Sequence, residues 1–176
     1  DPRNVALGRR AVVHFAVDTE LVQMTTRLAG SATRFMPFNR GLAEPDLGAG
    51  NPVNPDGHRT AYLWERVWRR DAWLDLIDRF IQVQPAGRSG QPGRVVFPRF
   101  HQWDAVGRLV ADAREHGAGR NYLVQHSAGS GKSNTIAWLA HRLSSLHGED
   151  DRAVFDKVIV ITDRRVLDRQ LQDTVA

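Results

Sequence analysis

Residues 126–133 read HSAGSGKS and hold the densest chemistry in the chain. Gly129 and Gly131 flank Ser130, Lys132 follows, and Ser133 opens a stretch with helical periodicity. A Gly-rich turn between a strand and a helix suits phosphate for physical reasons. Glycines let backbone N–H groups approach and surround oxygens, and the unsatisfied amides and dipole of a first helical turn favour negative charge. A lysine adds a mobile point charge that reaches outer phosphates, and a serine hydroxyl can ligate magnesium. The usual pattern, G-x-x-x-x-G-K-[ST], asks for glycine where this chain has His126. Position 126 ends a predicted strand before the loop curls, so a side chain pointing outward is tolerable there. GSGKS alone could equally be a surface Gly/Ser turn, and its flanks must decide.

Those flanks read as a crossover unit. WDAVGRLVADAREHG, 103–117, predicts a helix with Val106, Leu109, Val110 and Ala113 on one face and Gly117 as its stop. NYLVQH, 121–126, predicts a short strand. KSNTIAWLAHRLSSLHG predicts a second helix with Ile136, Leu139, Ala140, Leu143 and Leu146 as its stripe. DKVIVIT, 156–162, is an unbroken apolar run, the pattern of a parallel strand covered on both faces. Helix, strand, loop, helix, strand is a βαβ unit with a lead-in helix, which places the chain in the α/β class. In this context the loop reads as a nucleotide site.

The preceding residues read differently. In 9–28, Val12–Val17 and LVQMTT predict two strands around a turn at DTE. The segment 39–58 holds three prolines and four glycines and predicts a loop. RTAYLWERVWRRDAWLDLIDRFIQV then repeats apolar residues at helical steps through Leu63, Trp64, Val67, Leu74, Ile77 and Ile81, with Asp71 able to cap a second helix. Its tryptophans are expected in the core rather than on a base-stacking surface. QPAGRSGQPGR, 84–94, has no large apolar residue and reads as a linker.

Composition sets limits. At 41% hydrophobic and 25% charged, the 176 residues are those of a soluble globular protein. Apolar runs are too short for a membrane span. The opening DPRNVALGRR shows neither an initiator Met nor an apolar leader, so a piece of something longer is expected. There is no cysteine, which excludes disulfides and thiolate metal sites and fits a cytoplasmic protein. The seven histidines are scattered, in no metal-site spacing. A net charge of +4 hints at nucleic acid only weakly, because Lys132 and Lys157 are the sole lysines among the 24 basic residues, an arginine bias set by composition. That scarcity makes the lysine in the loop more telling.

HSAGSGKS resembles the relaxed first motif of superfamily 2 helicases and translocases. FPRFHQWDAV, 97–106, resembles their adenine-side region, and VITDRRVLDRQ, 160–170, resembles the strand end and loop that touch a nucleic-acid backbone. Together with LVQHSAGSGKSNTIAWLAHRL and KVIVITDRRVLDRQL, these stretches are similar to the R subunits (HsdR) of type I restriction–modification enzymes. Residues 11–82, with VVHFAVDTELVQMTTRLAG and FMPFNRG, are similar to the part that joins the nuclease domain to the first motor domain in that family.

The resemblance implies an α/β chain: the start of a RecA-like P-loop NTPase motor domain preceded by an α+β remnant of a restriction-nuclease domain. It divides into 1–82, a linker at 83–96, and motor residues 97–176. ATP-driven translocation of double-stranded DNA, coupled to cleavage, is the implied activity, and methyltransferase and specificity subunits are the implied partners. Gly129, Ser130, Gly131, Lys132 and Ser133 would hold ATP and Mg²⁺, Ser133 as the metal's hydroxyl ligand. Gln102 would read the adenine, and Arg164 and Arg165 would meet the DNA backbone, contacts that hold register without reading sequence. The family's D…E-x-K nuclease cluster, second acidic motor motif and arginine finger are absent from these residues. The piece alone is therefore expected neither to cut DNA nor to hydrolyse ATP usefully, and its VIVI strand to show an unpaired edge. Two alternatives stand beside this reading: a small-molecule kinase, and a non-enzymatic docking module built on 1–82.

Overall fold

A computed structural model describes residues 11–41, 50–84 and 93–161. The chain divides into two compact units, Asp1–His101 and Gln102–Ala176.

In the first unit, β1 (His14–Val17) and β2 (Val22–Thr25) form the expected antiparallel hairpin, with Val17 opposite Val22 and His14 opposite Thr25. Its turn is held by Asp18, whose Oδ1 accepts the amides of Glu20 (2.7 Å) and Leu21 (2.8 Å). A short β3 (Met36–Pro37) pairs with β2. Along β2, Val22 and Met24 are buried while Gln23 is exposed, the two-residue alternation of a half-covered strand. Beneath lies an aromatic cluster. Phe38 meets Phe15, Phe97 and Phe100 at centroid distances of 5.3, 6.1 and 5.8 Å, and Tyr62 meets Phe100 edge-on at 5.1 Å. The Tyr62 hydroxyl donates to the Phe38 carbonyl (2.7 Å), and burial pushes its pKa well above the usual tyrosine value. Buried Asn51 ties the loop to the hairpin through Glu20, Asn39 and Arg40.

The helical stretch differs from the single predicted stripe. Leu63–Val67 is a π-helical turn, with the Trp68 amide donating to the Leu63 carbonyl at 2.8 Å. Extended backbone at Arg69 then ends it, and α1 (Arg70–Arg79) starts afresh. A widened turn followed by a break resets the helical phase. Leu63, Val67, Leu76 and Phe80 therefore face inward, whereas Leu74 and Ile77 are exposed. Asp71 sits in the first turn of α1, favourable to the dipole, but the N-cap is Arg69 without a side-chain bond. Trp64 and Trp68 are 45% and 44% exposed, against the expectation of core packing. Strands β4 (Gln82–Gln84) and β5 (Arg94–Val96) pair antiparallel, so the stretch read as a linker begins and ends in a ladder.

Helix α2 (Phe100–His116) opens at the end of the first unit and lies mainly in the second. Val106, Val110 and Ala113 are buried on it, as the spacing predicts. Gly117 terminates it in left-handed conformation (φ 69°), its amide donating to the Ala113 carbonyl. Helix α3 (Lys132–Ser144) buries Thr135, Ala137, Trp138 and Ala140. Trp138, the bulkiest side chain on α3, takes an inward position, and Ile136 of the predicted stripe is exposed.

The two predicted parallel strands do not form. Residues 121–126 and the described part of 156–162 carry no ladder, and every sheet pairing among the described residues is antiparallel. A strand exists only through a partner's hydrogen bonds, and neither segment has a neighbouring strand among the described residues. Ile159 and Ile161 stand 78% and 89% exposed, in keeping with the expected unpaired VIVI segment. Helix and small antiparallel sheets together are compatible with an α/β assignment. No helix among the described residues is long and apolar enough to cross a membrane.

Candidate functional site: the Gly-rich loop of the second unit

The loop takes its shape from two glycines. Gly129 and Gly131 both have left-handed backbone, with φ of 72° and 82°. An L side chain adopts that region at a cost, so glycine belongs at these two positions. Ser130, buried between them, donates its amide to the Ser127 carbonyl at 3.3 Å. His126 has no positive φ, as Asp151 alone among the described non-glycine residues does. The relaxed first position thus has a backbone reason: the chain has not yet begun to curl at 126.

Gly131 is the N-cap of α3, and no side chain caps the helix. Its carbonyl accepts the amides of Asn134 (3.1 Å) and Thr135 (3.3 Å), and the Gln102 side-chain amide at 2.8 Å. Lys132 is the first residue of α3. Its exposed side chain arches back over the loop, donating from Nζ to the carbonyls of Ser127 (2.8 Å) and His126 (3.0 Å). Ser133, half-buried, is the next residue of the helix. No acidic residue lies in the first turn. The field at the loop is therefore positive, from the helix end and the ammonium. His126 adds nothing to it near neutral pH, since burial and the neighbouring Lys132 both push its pKa below the usual histidine value.

An uncapped helix N-terminus, two left-handed glycines and a cation over the loop make a donor set suited to an anion such as a triphosphate. No group of His, Asp or Glu among the described residues could hold a metal by itself. Magnesium would have to arrive on the phosphates, with the Ser133 hydroxyl as its protein ligand. The structure brings Gln102 together with Gly131 and gathers Gly129 to Ser133 in one turn. Arg164 and Arg165 lie outside the described residues.

Sequence reasoning missed the contact between Gln102 and Gly131, because no spacing rule relates positions so far apart. It also missed the clamp before the loop. Asp112 of α2 accepts the Tyr122 hydroxyl and pairs with Arg120 (3.1 Å) and His116 (3.3 Å), and the Tyr122 bond above all holds its carboxyl below the usual range. A mixed Asp/Arg/Tyr pattern over ten residues carries no recognisable period. Beside this clamp, Leu109, Ala113, Leu139, Leu143 and Phe155 line an apolar cavity of about 210 Å³ that includes none of the loop residues.

No curated protein and no solved structure matches the chain. Residues 101–176, from His101 of α2 through the whole loop and beyond, match the family model of the SWI2/SNF2 ATPase. The similarity supports a helicase-like superfamily 2 ATPase for the part of the chain that carries the Gly-rich loop, and an ATPase family implies the use of ATP.

Proposed function

We propose that the chain is part of the R subunit of a type I restriction enzyme, carrying the ATP-binding loop of its first motor domain. The observation that carries the reading is the loop itself: Lys132 over Gly129–Gly131 at the uncapped start of α3. The similarity of residues 101–176 to a helicase-like ATPase supports it, as do the stretches that resemble R subunits on both sides. On this reading the parent protein translocates double-stranded DNA and cleaves it together with methyltransferase and specificity subunits. The small-molecule kinase alternative draws no support from the match.

MgATP, when bound, would supply the phosphoanhydride whose hydrolysis drives translocation. The amides of the loop and of the first turn of α3 would orient its phosphates. Lys132 would exchange two neutral carbonyl acceptors for anionic oxygen, a stronger partner for an ammonium. Ser133 would offer its hydroxyl to the metal, and Arg164 and Arg165 would meet the DNA backbone.

The test is calorimetric titration of MgATP into the chain and into Lys132→Ala. Loss of a charge-assisted contact should weaken binding roughly 10- to 100-fold. Equal affinity in the two proteins, or none in either, sinks the reading.

A further inference from the structure

We propose that Trp64 and Trp68, with Arg69 and Arg70 beside them, form a surface on the first unit that binds single-stranded DNA. The inference goes beyond the ATP-binding reading; only the choice of DNA over RNA as the strand rests on it. It starts from two indoles that helical spacing assigns to the core. Leu63 and Val67, four residues apart, are both fully buried, so that side of the π-helical turn faces inward. Trp64 and Trp68 each follow one of them by a single residue, and both are nearly half exposed. Side chains four apart on a helical turn are neighbours, so the two indoles make one patch.

Each indole is steadied by one other ring. Trp64 meets His58 at 6.5 Å and 76°, and Trp68 meets Phe15 at 5.8 Å and 72°. Aromatic surface held in place before a ligand arrives loses little freedom on binding. An open indole suits an unpaired base, because every base has a π-face and stacking tolerates any sequence. A duplex keeps its base faces stacked on one another, so the patch favours a single strand.

Charge selects the same partner. Arg69 and Arg70 come next in the chain and are exposed, and no hydrogen bond or ion pair among the described residues holds either guanidinium. Arg79, by contrast, pairs with Asp75 and Asp78, and Arg108 with Asp104. A guanidinium without a carboxylate is available to phosphate. Over residues 58–70, Arg59, Arg66, Arg69 and Arg70 face a single acid, Glu65. Farther along α1 the balance reverses, with Asp71, Asp75 and Asp78 against Arg79. Leu74 and Ile77 are also exposed there, but a phosphate backbone is repelled from them and drawn to the tryptophans.

The experiment is a fluorescence-anisotropy titration of the 176-residue chain, without ATP, so its outcome is separate from that of the calorimetric test above. The probe is a labelled oligothymidylate about fifteen nucleotides long. A duplex of equal length, oligouridylate and a polyglutamate peptide are run beside it. Oligothymidylate should bind most tightly and quench tryptophan emission. Trp64→Ala and Trp68→Ala should each raise its Kd roughly tenfold. Leu74→Ala should leave it unchanged. Arg69→Gln combined with Arg70→Gln should flatten the fall of log affinity with log salt by about 0.7 for each phosphate contact removed. That variant changes exposed charges only, so it decides the matter should a tryptophan variant not fold. No binding by wild type, wild-type Kd in both tryptophan variants, an equal loss in Leu74→Ala, or an unaltered salt slope overturns the proposal. Duplex bound as tightly as the single strand reduces the surface to charge alone and overturns it too. Tighter binding of oligouridylate or of the peptide overturns it in favour of RNA or of an acidic protein.

Discussion

Apolar residues mark both the β-strands of the first unit and the strand-like segments of the second, yet among the described residues only the former pair. Val22 and Met24 of β2 are wholly buried, while Ile159 and Ile161 stand in solvent. The difference is one of connection. Strands β1 and β2 are joined by a four-residue turn, so the partner is at hand and the Asp18 hydrogen bonds fix the register. A parallel strand must instead find its neighbour across a crossover, and its register is set by the whole sheet. Hydrophobic pattern shows that a segment is fit to be a strand, but what it pairs with is a separate matter.

The largest effect expected from this contrast is in the first unit's core. Phe38 is fully buried and in ring contact with Phe15, Phe97 and Phe100. Phe38→Ala leaves a cavity among rings and should cost about 3–5 kcal/mol in a denaturant titration. A loss below about 1 kcal/mol would mean that the hairpin does not rest on this cluster, and the comparison would fail on its paired side.

How much of this was legible follows the same division. The hairpin, the stop at Gly117 and the inward face of α2 were all readable, because each depends on neighbours within a few residues. The stripe through Leu74 and Ile77 was not, because a π-helical turn and the extended Arg69 shift the phase without any sequence mark. At the candidate site, the glycines and Lys132 could be picked out by type and order. The bond from Gln102 to the Gly131 carbonyl could not, since it depends on how α2 is placed beside the loop.

A middle-sized effect concerns acid. Asp18 in the hairpin turn has its pKa lowered by the Leu21 and Glu20 amides, and Asp112 before the loop has its own lowered chiefly by Tyr122. A carboxyl with a depressed folded pKa contributes stability that is fully present above its unfolded value, near 3.9 for Asp. That contribution is lost as pH falls through the folded value. Amide exchange at Glu20 and Leu21 should therefore speed up as pH drops below about 4, beyond the intrinsic change. Asp18→Asn keeps an acceptor oxygen without the charge and should flatten that profile, leaving the Asp112 contribution in place. A profile unchanged by Asp18→Asn would show that the turn does not hold the register.

The smallest expected effect is the sharpest test of the contrast. Ile159→Lys and Ile161→Lys place charges on side chains that are already in solvent, so each should change stability by no more than about 0.5 kcal/mol. Val22→Lys, the same kind of change within β2, puts an ammonium at a fully buried position and should unfold the hairpin. If Ile159→Lys or Ile161→Lys instead costs more than about 1 kcal/mol, the segment packs in solution after all. Residues 156–161 would then join a sheet as their pattern predicts, and pairing would no longer separate the two units.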